Sequence, residues 1–354
     1  MSQHLARQRI QWLVVVTVAM GSCGAAPVVG QRPDTVMRLE APPLRGTITR
    51  TSKQGLEMEA GETVSTPEIE RVMFGDEPAA LRQAKEALAN GNVEQAARAL
   101  ERVEADEIDR ELVQAEWAFV QAACAAQQAI EQRKDHAAAA KQMLNFIKAH
   151  KDTFHFYDAA ESLGHLAVAM GRLDSASKYF GQLEKAPWPK TRFRGAVLSA
   201  EALRALGPNQ LEAVLERYDR IAEAEVSGPE AQRQRQIAIL GRATVRAELG
   251  KADDALAEIE AIIANTDAAD AALLGRAYNA LGAYHRGKQE STDAVLAYLH
   301  VDLLFPAEPE VHAEALYYLG QLWPREGKPD RGIDAANRLK TNYAGSIWAQ
   351  KTNS

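Results

Sequence analysis

YNALGAYHRGKQESTDAVLAYLHVDLLFP, residues 278–306, sets small and aromatic side chains at fixed offsets and carries no catalytic motif. Leu281-Gly282 lies near the end of one helix-like run, Gly287 breaks that run, Ala294 and Tyr298 fall four residues apart on the next, and Pro306 closes the unit. The same order recurs in AAESLGHLAVAMGRLDSASKYFGQLEKAPWP, through Leu163-Gly164, Gly171, Ala176, Phe180 and Pro187. Packing explains the spacing. The two helices of a hairpin cross at Gly282 and Ala294, where a larger side chain would push the axes apart. Gly287 permits a tight turn. Tyr298 fills the gap against the next hairpin, and Pro306 stops the second helix because it has no amide hydrogen and clashes with the preceding turn.

Weaker copies flank these two. Ala84, Gly91, Ala96 and Leu100 fit the order, as do Ala243, Gly250, Ala255 and Ile259, and then Leu319-Gly320, Gly327 and Ala336. Two degenerate units lie in LSAEALRALGPNQLEAVLERYDRI and around Trp117 and Phe146, giving about seven hairpins in all. No such hairpin buries its apolar face alone, so the units must stack into an α-α superhelix with a continuous core. The fold class is mostly α.

These units resemble the tetratricopeptide repeat, whose pattern puts a bulky residue, Leu-Gly and an aromatic on the first helix, then Ala, an aromatic and Pro. The resemblance covers roughly residues 77–346, with 347–354 left as a C-terminal tail. It departs from the pattern where His285 takes the first-helix aromatic place, with Tyr284 one position early. Gly332 also stands where Ala is usual, and Trp188 holds the closing Pro position. The resemblance implies a concave groove lined by the first helices. Its side chains would be Asp158, Glu161 and His165 in one unit, Arg276, Asn279 and Arg286 in another, and Tyr317 and Gln321 in the last. The Lys/Asn clamp with which some of these repeats hold a terminal carboxylate does not occur as a set. Arg276, Asn279 and Arg286 are the candidates for holding an acidic segment through charge-assisted hydrogen bonds.

The 354 residues are 46% hydrophobic and 25% charged, a globular balance that excludes disorder throughout. Aromatics are only 6%, which suits closely packed helices more than a sheet sandwich. The net charge of -7 lacks the basic footprint of a nucleic-acid binder, so no nucleic-acid partner is expected.

The first thirty residues read as a signal peptide or membrane anchor rather than as fold. Arg7 and Arg9 precede an uncharged run to Arg32 whose most apolar part is Trp12 to Met20. Small residues allow cleavage after Ala25 or Gly30. MGSC, ending at Cys23, is similar to the bacterial lipobox with Met where Leu is usual, which makes Cys23 a candidate for lipidation. The run is also nearly long enough to remain as an uncleaved anchor. The second cysteine, Cys124, lies in an Ala-rich helical run and reads as a small buried hydrophobe.

Between residues 34 and 75 the texture changes to short runs broken by Pro42-Pro43, Gly55 and Gly61, with Met37 and Leu39 or Leu56 and Met58 alternating. Five strands in a small curved sheet or barrel are expected. Their spacing resembles Sm-like or SH3-like barrels at the front of some exported proteins, and a docking role fits better than RNA binding because interleaved aromatics are missing.

Chemistry is sparse. No phosphate loop, nucleophile elbow or Cys–His pairing occurs. His150, His155, Asp158, Glu161 and His165 invite a metal reading, but the zinc-enzyme pattern of two His four apart around a Glu is missing, and neither a metal nor a cofactor is expected. The expectation is an exported, non-enzymatic scaffold of the periplasm or envelope that binds a protein or peptide in its groove. The alternative is a cell-wall or carbohydrate-associated factor with the β segment as its binding site.

Overall fold

The computed structural model describes residues 32–252 and 255–352; the expected signal peptide or anchor, its candidate cleavage sites and Cys23 lie outside the described residues. The chain enters through six short strands, β1 (Asp34–Arg38), β2 (Leu44–Gly46), β3 (Ile48–Ser52), β4 (Gly55–Met58), β5 (Thr63–Ser65) and β6 (Ile69–Met73). They are six rather than five because LRGTITRT is two strands. Thr47 separates β2, which pairs with β1, from β3, which pairs with β4. The result is two antiparallel sheets of strand order β2-β1-β6 and β3-β4-β5.

Val36, Ile48, Leu56, Met58, Val64, Val72 and Phe74 fill one core between these sheets, and Leu81 and Ala84 from the first helix complete it. So short a segment cannot bury enough apolar surface alone, which is why its core is shared with helices. Asp34 ties the region together. Its carboxylate accepts from the Ile48 amide at 2.7 Å, from the Gly75 amide at 2.9 Å and from both Arg110 amino groups at 2.9 Å.

The helices then pair in sequence: α1 (Ala79–Ala89) with α2 (Val93–Leu100), α3 (Glu111–Gln132) with α4 (His136–Ala149), α5 (Phe156–Ala169) with α6 (Leu173–Leu183), and α7 (Pro189–Leu206) with α8 (Leu211–Ala222). The series continues with α9 (Pro229–Glu248) and α10 (Leu256–Asn265), α11 (Ala271–Gly287) and α12 (Ser291–Leu304), and α13 (Pro309–Arg325) and α14 (Pro329–Asn342). Seven hairpins result among the described residues, followed by a short α15 (Ile347–Lys351) drawn from the segment expected as a tail. Proline opens α7, α9, α13 and α14, where its fixed φ suits a first turn and its missing amide hydrogen costs nothing.

The repeat offsets have direct structural counterparts. A Cβ on Gly164 would sit 2.2 Å from the Phe180 ring, and one on Gly282 2.7 Å from the Tyr298 ring. Phe180 and Tyr298 are both fully buried, so each glycine is the slot for its own hairpin's aromatic. Tyr298 also stacks on Tyr318 at 5.1 Å and joins the sixth hairpin to the seventh. The Gly332 departure has a local cause, since a Cβ there would lie 2.8 Å from Pro324 and 2.9 Å from the Gly320 carbonyl.

One expectation is corrected. Gly287 is not the turn residue; it ends α11, where a Cβ would come within 3.1 Å of the Ala247 carbonyl of α9. In the five units with a recognisable crossing residue the turn falls seven residues beyond it, at Gly91, Gly171, Gly250 and Gly327 with φ of 69–73°, and in this unit at Gln289 with φ of 63°. Its best-patterned copy thus uses a non-glycine residue in the left-handed region, where a Cβ is unfavourable.

Gly282→Val is expected to lower the melting temperature through overpacking against Tyr298, at a cost of roughly 1–3 kcal/mol. An unchanged thermal melt would contradict this placement of the crossing.

The stack winds far enough to meet itself. Arg133, at the end of α3, donates to the Thr341 carbonyl of α14 at 3.3 Å, and Gln350 of α15 donates to the Val168 carbonyl of α5 at 3.3 Å. The last hairpin therefore returns against the second and third. Among the described residues no helix is long and apolar enough to cross a membrane.

Candidate functional site

Because the first helix of each hairpin faces inward and the stack closes on itself, α7, α9, α11 and α13 point side chains at a common centre. A pocket of about 60 Å³ lies there, lined by Glu201, Arg204, Arg276, Asn279, Glu310 and Glu314 over an apolar floor that includes Tyr218, Ile237, Leu240 and Val311. Ile347, Trp348 and Lys351 of α15 form one wall.

Arg204 is the hub. It binds Glu248 of α9 at 2.7–3.2 Å and Glu314 of α13 at 3.0 Å, bridging three hairpins. Burial alone would push the Glu248 carboxyl up, but the charge and hydrogen bonds of Arg204 override it and hold Glu248 at about 2. Tyr318 adds a hydrogen bond to Glu248 at 3.2 Å. Arg276 pairs with Glu201 across α11 and α7, and this carboxylate is the main reason its guanidinium stays charged despite burial. Glu310 keeps contact with solvent at the rim, yet burial and then the nearby Glu201 carboxylate push it above the usual range.

Asn279 differs from its neighbours. It is only 3% exposed, and its amide nitrogen donates to the Val311 carbonyl at 2.9 Å and to Glu314 at 3.3 Å. Its Oδ1 has no partner. A buried acceptor left unmade costs about 1–3 kcal/mol, so it is held open by the rest of the pocket.

The eight residues expected in the groove divide between two places. Arg276 and Asn279 line the central pocket. Arg286 lies behind it, with its guanidinium 3.8 Å from the Tyr318 ring centre and 3.8 Å from Glu248. Tyr317 packs its ring on Tyr318 and Trp348 at 5.0 and 5.3 Å, and Gln321 is exposed one turn further along α13.

Asp158, Glu161 and His165 belong instead to a cleft of about 490 Å³ between the strands and α5 and α7, which they share with Leu39, Ile69, Lys190 and Arg194. Arg194 clasps Glu161 at 2.8–3.0 Å and His165 approaches it at 3.5 Å. Burial would raise this carboxyl, but the two bases hold it at about 2.

That pairing, and the 2.8 Å contact of His155 with Glu116, commits most of the polar groups weighed earlier as metal ligands to protein partners. Among the described residues His285, Glu290 and Asp293 bring possible ligand atoms within 4.8 Å, but both carboxylates are exposed. Phe74, the one aromatic of the strand segment, is fully buried, so it offers no stacking surface to a sugar ring. Cys124 is buried, as its helical context predicted.

Sequence reasoning missed Glu201, Arg204, Glu248, Glu310, Glu314 and Trp348. Glu314 was within reach, because it stands six residues before Gly320 as Arg276 stands six before Gly282 and Asp158 six before Gly164. Arg204 carried no comparable signal, since its unit is degenerate.

No protein-family model matches the chain, and no curated protein matches it as a relative. Solved structures do. A tetratricopeptide repeat protein from Parabacteroides merdae superposes with a TM-score of 0.54 at 13% identity, covering 74% of this chain and 91% of that one. Rap protein complexed with Competence and Sporulation Factor gives 0.49 at 15% identity, covering 77% of each chain. NprR in complex with its cognate peptide NprX gives 0.47 at 14%, covering 77% of this chain and 80% of that one. At such identities the likeness concerns the fold, and on the first of these structures the chain has the fold of a tetratricopeptide-like helical repeat, here preceded by a small antiparallel β region.

Proposed function

We propose that the chain is a non-enzymatic scaffold that holds a protein or peptide segment in the concave face of its superhelix. The observation that supports this most is Asn279 Oδ1, a buried acceptor without a partner in a pocket where Glu201, Arg204, Arg276 and Glu314 are all paired. The atom is sealed from solvent here, so a main-chain N–H of an extended segment would satisfy it once the pocket opens to admit the segment, and the rim offers carboxylates and guanidinium groups for that segment's side chains.

The test is a displayed-peptide selection on the purified chain, with each selected peptide remeasured on Asn279→Leu. Loss of one buried hydrogen bond predicts affinity weaker by up to about tenfold. Peptides that bind both forms equally would place recognition elsewhere. Export to the envelope belongs to the same proposal. It rests on Arg7, Arg9 and the apolar run from Trp12 to Met20, with cleavage, acylation at Cys23 or retention as an anchor as its possible forms. A cell-wall or carbohydrate role finds no support in the strand segment, whose aromatic is buried.

A further inference from the structure

The seven hairpins end with α14, and α15 is an unpaired helix of five residues. So short a helix has no stability of its own in water. Its position is set by what surrounds it. Trp348, 4% exposed, enters the concave face with its ring 5.3 and 5.5 Å from those of Tyr317 and Tyr318 and 5.3 Å from the Arg204 guanidinium. Lys351, three residues on, sits 4.6 Å from the Trp348 ring and lines the pocket with the acidic Glu310 and Glu314. Gln350 reaches across to α5, and Ser346 caps the turn by accepting from the Ala349 amide at 3.1 Å.

A binding groove would hold a foreign segment by these same means: one aromatic anchor in an aromatic pocket, a cation near carboxylates and a few polar contacts at the edge. We infer that residues 346–352 are the resident occupant of the groove, and that the groove's partner carries the same recognition pattern, an aromatic residue followed by a small one and, three residues after the aromatic, a basic one. This rests on the groove-binding function proposed above.

Two features mark the segment as exchangeable. It forms no hairpin among the described residues, so what its release uncovers is the seat of Trp348 and Ala349 on the core of α12 to α14 and not a helix–helix pairing. Burial, together with the nearby Arg204, also holds Lys351 below the usual lysine range, so docking is opposed by desolvation of its cation. Tethering compensates, because a segment joined to its own groove competes at an effective concentration of about millimolar.

The probe is a fluorescently labelled synthetic peptide of residues 344–354, titrated by anisotropy onto the full chain and onto full-length Trp348→Ala. The variant empties the groove, so the peptide is expected to bind it at least about tenfold more tightly than wild type, and the same peptide lacking its tryptophan is expected to lose that binding. A folded variant, with unchanged far-UV dichroism and a cooperative melt, that binds selected groove peptides but not this one would overturn the inference and leave the proposed function standing. Binding of neither would overturn both.

Should the variant fail to fold, hydrogen exchange on the wild-type chain decides. Amides of Ala349 to Thr352 are expected to exchange at least about tenfold faster than those of Leu316 to Leu319 in α13. Equal protection would show α15 to be a fixed part of the core.

Discussion

Arg204→Met is expected to destabilise the chain by about 3–5 kcal/mol, the typical cost of stripping one partner from a buried ion pair. Arg204 hydrogen-bonds both Glu248 and Glu314, and its loss leaves the two carboxylates, on α9 and α13, to the more distant charges of Arg286, 3.8 Å from Glu248, and Lys351. The deficit has a pH signature. Glu248 titrates at about 2 in the folded chain against an ordinary value of 4.5, so the stability its pairing supplies is complete above 4.5 and fades as pH falls toward 2. The gap between wild type and variant should therefore narrow in acid. Denaturant unfolding at pH 7 and pH 3.5 checks this; a constant gap would mean that Arg204 acts through packing alone. Arg204→Lys should recover only part of the loss, because an ammonium lacks the planar fork that meets two carboxylates.

A second large effect is expected at Glu116→Leu, where the strand segment meets the superhelix. Lys85 donates to the Val72 carbonyl of β6 at 2.6 Å and to Glu77 at 2.8 Å, and pairs with Glu116 at 3.0 Å; Glu116 in turn contacts His155 at 2.8 Å. This chain of charges runs from β6 through α1 and α3 to the start of α5, with His155 stacked on Phe119 at 3.7 Å. Removing Glu116 leaves Lys85 and His155 short of their shared counter-ion, again at about 3–5 kcal/mol.

The wild-type network also fixes two limbs of the stability profile. Burial would raise Glu116, but Lys85 and His155 hold it at about 2, so its contribution is present above 4.5 and lost as pH falls toward 2. Burial would lower His155, but Glu116 and then Asp158 raise it above 6.5, so its contribution is complete below 6.5 and lost as pH rises through the raised value. Melting temperature against pH should show both limbs in wild type. In Glu116→Leu both should be blunted, and an unaltered profile would contradict the network.

The repeat was legible because crossing residues obey a local rule. Gly164 and Gly282 must be small for reasons contained within one hairpin, so their spacing is written in the chain. Units built around Trp117 or Arg204 were harder, since tertiary packing tolerates substitutes for the pattern there. Gln289 was hidden because a left-handed residue is legible mainly when it is glycine, and the nearby Gly287 drew the assignment. Of the candidate site, Arg276 and Asn279 were expected from the groove that the repeat resemblance implies, and both line the central pocket. The salt bridge from Arg204 to Glu314 joins residues 110 apart, and the seating of Trp348 depends on the superhelix coming full circle. Neither contact is set by local spacing.

The central claim is that the concave face does the binding. Photo-crosslinking tests it directly, with p-benzoylphenylalanine placed at Tyr317 on that face or at Leu303, which is 71% exposed on the outer helix α12. A peptide selected on the chain should crosslink from position 317 and not from 303; crosslinking from 303 with none from 317 would contradict the account.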